Sequence, residues 1–153
     1  MTRRLIRRYA AQLTALSLAA AFSAAVVADD SLVISSAGLG RMNGAEIYTH
    51  ICQGCHMPQG QGAVGAGHYP KLASDPALVS RKYAAIIVLG GRNGMPAFGL
   101  PAAQAQQTRQ VNLSDAQIAD VINYVRSNFG NRYKDIVSAG EVAALPHPGG
   151  APP

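Results

Sequence analysis

Residues 52–56 read Cys52-Gln53-Gly54-Cys55-His56, and these two cysteines are the only ones in the 153 residues. Two thiols three positions apart, on a short turn at a helix end, can each add to one of the two vinyl groups of a haem. The histidine that follows then lies under the iron and offers it an imidazole nitrogen. Three plainer uses compete for the same residues. A structural disulfide does not need His56. A thioredoxin-like redox pair needs a βαβ setting, and no convincing strand pattern appears. A zinc site from Cys52, Cys55, His56 and either His50 or His68 lacks the second paired cluster of structural zinc. Attachment of one covalent haem is the reading these five residues favour.

The flanking sequence is helical and loop-rich. Asn43 caps a helix starting at Gly44, with Ile47, Tyr48 and Ile51 as its apolar stripe. Residues 58–70 hold four glycines between two prolines and predict loop. Asp75-Pro76 opens a turn, and Ser80 to Leu89 reads as a short helix stopped by Gly90-Gly91. Gly99 to Gln110 reads as a Gln-rich loop. Ser114-Asp115-Ala116-Gln117 is a capping box for a long helix with Ile118, Val121, Ile122 and Val125 on one face, ended by Gly130. Glu141 to Leu145 adds one turn at most, and there is no internal repeat.

Composition agrees with a cofactor-filled core. Only 6% of residues are aromatic and none is Trp, so an apolar core is thin for a chain of this length. The formal charge of +5 suggests a polyanion partner, but Arg3, Arg4, Arg7 and Arg8 precede an apolar stretch from Tyr9 to Val27 and a small-residue site, Val26-Val27-Ala28. That is a secretory signal, cleaved after Ala28. Without residues 1–28, Lys plus Arg falls from 13 to 9 while Asp plus Glu stays at 8, a net charge of +1. No nucleic-acid partner is expected, and membrane contact only if the signal segment stays uncleaved. Thr2-Arg3-Arg4-Leu5-Ile6 resembles a twin-arginine signal, yet that route carries folded proteins, so export as an unfolded chain is favoured. The expected organisation is a signal over residues 1–28, an irregular arm over 29–41, one domain over 42–145 and a disordered Pro/Gly tail over 146–153.

Over roughly residues 41–130 the chain resembles the class I c-type cytochromes. The resemblance rests on Cys52, Cys55 and His56, on Gly44 and Tyr48 facing Val121 and Tyr124, on Pro70, and on Met95 between Gly94 and Pro96. It implies an all-α, small, loop-rich cytochrome c fold, first and last helices crossing, wrapped around one covalent haem c. It implies that the Pro70 carbonyl accepts the His56 ring N–H, and that Met95 is the second axial ligand. Met1 leaves with the signal, Met57 is held on the His56 side, and Met42 would have to cross the haem edge. His68 and, less well, His50 are the alternative distal ligands. Arg92 and Tyr83 suit a haem propionate. Asp115, Asp120 and Glu141 show no paired arrangement and read as helix-surface charges.

Tyr69-Pro70-Lys71-Leu72 and Gly94-Met95-Pro96-Ala97-Phe98 are most similar to cytochrome subunits of bacterial periplasmic dehydrogenases. The implied function is a periplasmic one-electron carrier, not itself an enzyme, with His56 and Met95 on the metal. A periplasmic dehydrogenase would be the donor, and a terminal oxidase or another cytochrome the acceptor. The alternative is a haem enzyme or gas-sensing cytochrome with an open iron site. Lys71, Arg81, Lys82 and Arg92 are expected to form a basic docking rim.

Overall fold

The computed structural model describes residues 36–65 and 67–149. The signal over residues 1–28, most of the arm and residues 150–153 lie outside the described residues. The first helical turn is α1 (Ser36–Leu39). It adds short helical structure to the arm, and the Gln117 amide donates to the Leu39 carbonyl at 2.6 Å.

The helix expected from Gly44 is present in three pieces: α2 (Gly44–Ile47), a π-helical turn over Tyr48–Cys52, and α3 (Gln53–His56). Asn43 caps it reciprocally. Its side chain accepts from Ala45 and Glu46 N–H, and Glu46 accepts from the Asn43 N–H at 2.8 Å. A 3-10 turn (Pro76–Val79) leads into α4 (Arg81–Gly90), capped by Ser80. Then come α5 (Ala102–Thr108), α6 (Asp115–Ser127) and α7 (Ala139–Ala143).

Helix α6 organises the core. The Ser114/Gln117 capping box starts it, and Ile118, Val121, Ile122 and Val125 are all buried. Each fully buried aliphatic side chain contributes roughly 2 kcal/mol of transfer free energy. Helices α2, α4 and α7 all pack against α6. The crossing of first and last helices expected from the resemblance is observed. Tyr48 is 1% exposed, and its ring lies 5.7 Å from that of Tyr124 and 4.7 Å from that of Phe129.

Four expectations need correction. Two short strands, β1 (Ala63–Val64) and β2 (His68–Tyr69), pair antiparallel inside the glycine-rich loop. Too few side chains alternate in a two-residue strand for a pattern to show. The Gln-rich stretch contains α5, because Ala and Gln are good helix formers, and Arg109 closes it in a left-handed conformation. The last described segment is anchored, since His147 Nε2 lies 2.8 Å from Asp115 Oδ1 and Nδ1 lies 2.8 Å from the Leu145 carbonyl. Finally, α6 stops at Ser127, three residues before Gly130.

Candidate functional site

The π-helical turn ahead of the Cys-Gln-Gly-Cys-His motif is closed by Gln53 N–H on the Tyr48 carbonyl. One residue is thereby added to the turn, which changes the faces on which Cys52, Cys55 and His56 emerge; such turns recur at functional sites. Met57 then takes a left-handed φ of 65° and ends the helix. The buried Tyr48 hydroxyl donates to the Met57 carbonyl at 2.7 Å. Burial is the main reason its pKa is pushed up to about 12.

Both cysteines are free thiols, Cys52 half-buried and Cys55 exposed. Burial first, and then the neighbouring Cys55, push the Cys52 thiol up to about 12. Among the described residues no three His, Cys, Asp or Glu side chains come together as a metal site.

His56 is buried, and its Nδ1 lies 2.9 Å from the carbonyl oxygen of Pro70. Nδ1–H donates to that oxygen, which leaves Nε2 as the nitrogen with a lone pair. The backbone around the loop is closely engaged. Gly62 N–H donates to the His56 carbonyl at 3.1 Å, and the Gly60 carbonyl accepts from Leu72 and Ala73. Gly60 lies against the Phe129 ring, and a β-carbon there would come within 3.1 Å of it.

Met95 is half-buried and packs against the main core, as do Cys52 and Met42. Its position is set by a two-residue hairpin. Arg92 and Met95 exchange backbone hydrogen bonds of 3.1 and 2.9 Å across Asn93 (φ 49°) and Gly94 (φ 91°). Positive φ at both central residues is what a type I′ turn requires, and Asn-Gly is its preferred pair. That dipeptide was a readable signal in the sequence, beyond the Gly/Pro flanks of Met95. His50 and His68 are both exposed, His68 in β2.

The Arg92 guanidinium donates to the Tyr83 hydroxyl, so the two residues expected near the ligand loop do come together. The basic rim is smaller than expected. Arg81 bridges Asp135 at 3.2 Å and Glu141 at 2.7 Å, so its charge is answered within the chain. Lys71 and Lys82 remain exposed.

Two residues that sequence reasoning missed organise the surroundings. Arg126 is 1% exposed, where its Nε donates to the Leu78 carbonyl at 2.9 Å and Nη2 to Asp135 at 2.8 Å. Buried Asn131 donates to the carbonyls of Leu72 and Val125, both at 2.9 Å, and accepts from Asp75 N–H at 3.0 Å.

The donor set fits a covalently held haem: two free thiols, a buried imidazole with one nitrogen already engaged, and a thioether in a closed turn. The cytochrome c family profile matches residues 42–129, and the chain belongs to that family. It carries one attachment motif, Cys52, Cys55 and His56, and so holds one covalent haem c and serves electron transport. Over 105 residues it is 34% identical to the cytochrome c subunit of a quinone alcohol dehydrogenase from Gluconobacter oxydans, covering 67% of this chain and 21% of that one. It is 34% identical over 106 residues to the gluconate 2-dehydrogenase cytochrome c subunit of Pantoea cypripedii, covering 67% and 23%. Cytochrome c-552 of Thermus thermophilus is 30% identical over 108 residues, covering 67% of this chain and 71% of its own. The chain thus spans about a fifth of the length of the dehydrogenase subunits it matches.

Proposed function

We propose that His56 and Met95 are the two axial ligands, and that the protein is a periplasmic carrier taking electrons from a dehydrogenase. A terminal oxidase or another cytochrome is the acceptor. The carrying observation is the 2.9 Å contact of His56 Nδ1 with the Pro70 carbonyl. It fixes the tautomer, turns Nε2 into the available donor and makes the imidazole more electron-rich. Bound there, haem supplies a one-electron Fe(II)/Fe(III) couple, and His/Met ligation raises its potential. The Asn93-Gly94 turn sets the Met95 backbone through its two bonds with Arg92, and the side chain packs half-buried against the core. Arg92, with Tyr83 beside it, is the cation suited to a propionate. Export rests on the basic and apolar pattern of residues 1–28. The donor assignment rests on relatives that are cytochrome subunits of dehydrogenases.

Carbon monoxide added to the reduced protein tests the ligation. The wild type should show no fast spectral change, Met95→Ala should show one with a lowered potential, and Met42→Ala and Met57→Ala should behave as wild type. Rapid binding by the wild type returns the open-iron reading. Mild co-purification from the periplasm names the donor, and the first residue of the purified chain reports cleavage.

A further inference from the structure

Pro70 is held from two sides. On one side, Tyr69 pairs with Ala63 across the β1–β2 ribbon. Gly62 also packs so closely under the Pro70 peptide that a β-carbon there would sit 2.8 Å from the Pro70 carbonyl carbon. On the other side, the segment from Leu72 to Asp75 has no element of its own to hold it. It is fastened to the Gly60 carbonyl, which accepts from Leu72 and Ala73 N–H, and to the end of α6, through side chain and backbone.

Asn131 supplies two of the bonds from that end, more than any other residue there. Its Nδ2 donates to the Leu72 carbonyl two residues beyond Pro70, and to the Val125 carbonyl in the last turn of α6. Its Oδ1 accepts from Asp75 N–H. One amide thus grips both ends of the 72–75 segment and ties it to the core helix. The Phe129 carbonyl adds a bond from Ser74 N–H at 3.1 Å, and the Tyr133 hydroxyl one to the Asp75 carbonyl at 3.2 Å.

The backbone is bent to make this possible. Phe129 has φ 55° and Gly130 φ 82°, and Ser74 opposite them has φ 52°. A bulky residue in the left-handed region is a genuine outlier. Such conformations persist where surrounding contacts over-determine them, and they cluster at functional sites. A β-carbon on Gly130 would come within 2.7 Å of Ser74 Oγ, so the two segments meet at close range.

We propose that Asn131 is a positioning residue for His56, holding the Pro70 carbonyl on Nδ1 and thereby setting how electron-rich the proximal imidazole is. This deepens the ligation reading above and rests on it. Loosening the 72–75 segment weakens the Nδ1–H bond. A less basic imidazole stabilises the ferric state less, so the reduction potential rises.

The experiment uses the haem-loaded protein and compares Asn131→Ala with Asn123→Ala. Asn123 is a control of similar weight on α6, clamping Val137 with two 2.9 Å bonds that do not reach the 72–75 segment. Three quantities are read: the reduction potential, the solvent exchange of the His56 Nδ1 proton by NMR, and the thermal midpoint. Both variants should melt earlier. Only Asn131→Ala should shift the potential upward and speed Nδ1 proton exchange, by about tenfold. Asn131→Asp keeps the acceptor for Asp75 N–H and loses the donor to Leu72. It should speed Nδ1 proton exchange by less, and it carries the test by that readout if the alanine variant does not fold, since its carboxylate pulls the potential down on its own account. Equal shifts in the Asn123 variant, or an exchange rate unmoved in both Asn131 variants, overturn the proposal. Failure of the ligation reading shows separately, as wild-type His56 ring protons without the large shifts that an adjacent haem imposes.

Discussion

Gly44 touches the backbone of Asp120. A β-carbon at position 44 would stand 2.2 Å from the Asp120 carbonyl oxygen and 3.1 Å from the Tyr124 β-carbon. The obstacle is main chain, which cannot swing aside as a side chain can. Helices α2 and α6 therefore approach as closely as they do only because residue 44 has no side chain, and that approach brings the rings of Tyr48 and Tyr124 together.

Gly44→Ala should accordingly destabilise the haem-loaded protein by about 3 kcal/mol, the upper end for overpacking a rigid contact. Gly90→Ala is the comparison, since a β-carbon there meets nothing within 4 Å. It should be neutral or stabilising by up to about 1 kcal/mol. Denaturant midpoints measure both. A Gly44 variant as stable as wild type would mean that the helices can separate without loss.

Gly94 is constrained differently. Nothing lies within 4 Å of its absent β-carbon, but its φ is 91°. An L side chain there costs about 1–2 kcal/mol of backbone strain, borne by the Arg92–Met95 hairpin rather than by the core. Gly94→Val should leave the global melt little changed while reduced protein binds carbon monoxide roughly tenfold faster, as Met95 leaves its place more often. Stopped-flow absorbance checks this. Unchanged binding would separate the hairpin from the ligand.

Stability should fall on both sides of neutrality for separable reasons. The hydrogen bond to Asp115 is the main cause holding the His147 imidazole charged above its usual range near 6.5. A raised folded pKa gives stability that is full at low pH and is lost as pH climbs through the folded value. The Arg126 hydrogen bond holds Asp135 below its usual range, and the Ser138 backbone N–H, followed by Arg81, does so for Glu141. Those contributions are present at neutral pH and vanish as pH falls through the folded values. Thermal midpoints at constant ionic strength should form a dome. His147→Gln should flatten its alkaline side only, and an alkaline slope unchanged in that variant would refute the assignment.

Much of the fold was legible because its signals are local. The Ser114/Gln117 and Asn43/Glu46 boxes each join residues three apart. The α6 stripe repeats at helical spacing, and the attachment motif is five consecutive residues. A third box, Ser138 with Glu141, was equally readable and fixes α7 at Ala139–Ala143. Helix α5 lacked such a start, since Pro101 offers no side-chain cap, so only its composition signalled it.

The sequence by itself determined one haem-attachment site and the helices on either side of it, and the resemblance added Gly44 as the point where they cross. The first two are written in adjacent residues or in a period of the chain. Only the tertiary structure decided the polar fastenings. Asn131 reaches Leu72 across 59 positions and Arg126 reaches Leu78 across 48. An Arg or Asn near a helix end reads as a solvated side chain, because exposure is its usual state. Both are buried here because unpaired backbone carbonyls of distant loops meet them in the core, and a buried carbonyl without a donor costs more than burying an amide or a guanidinium that satisfies it. No spacing in the chain encodes those encounters; the packing of α6 against the loops creates them.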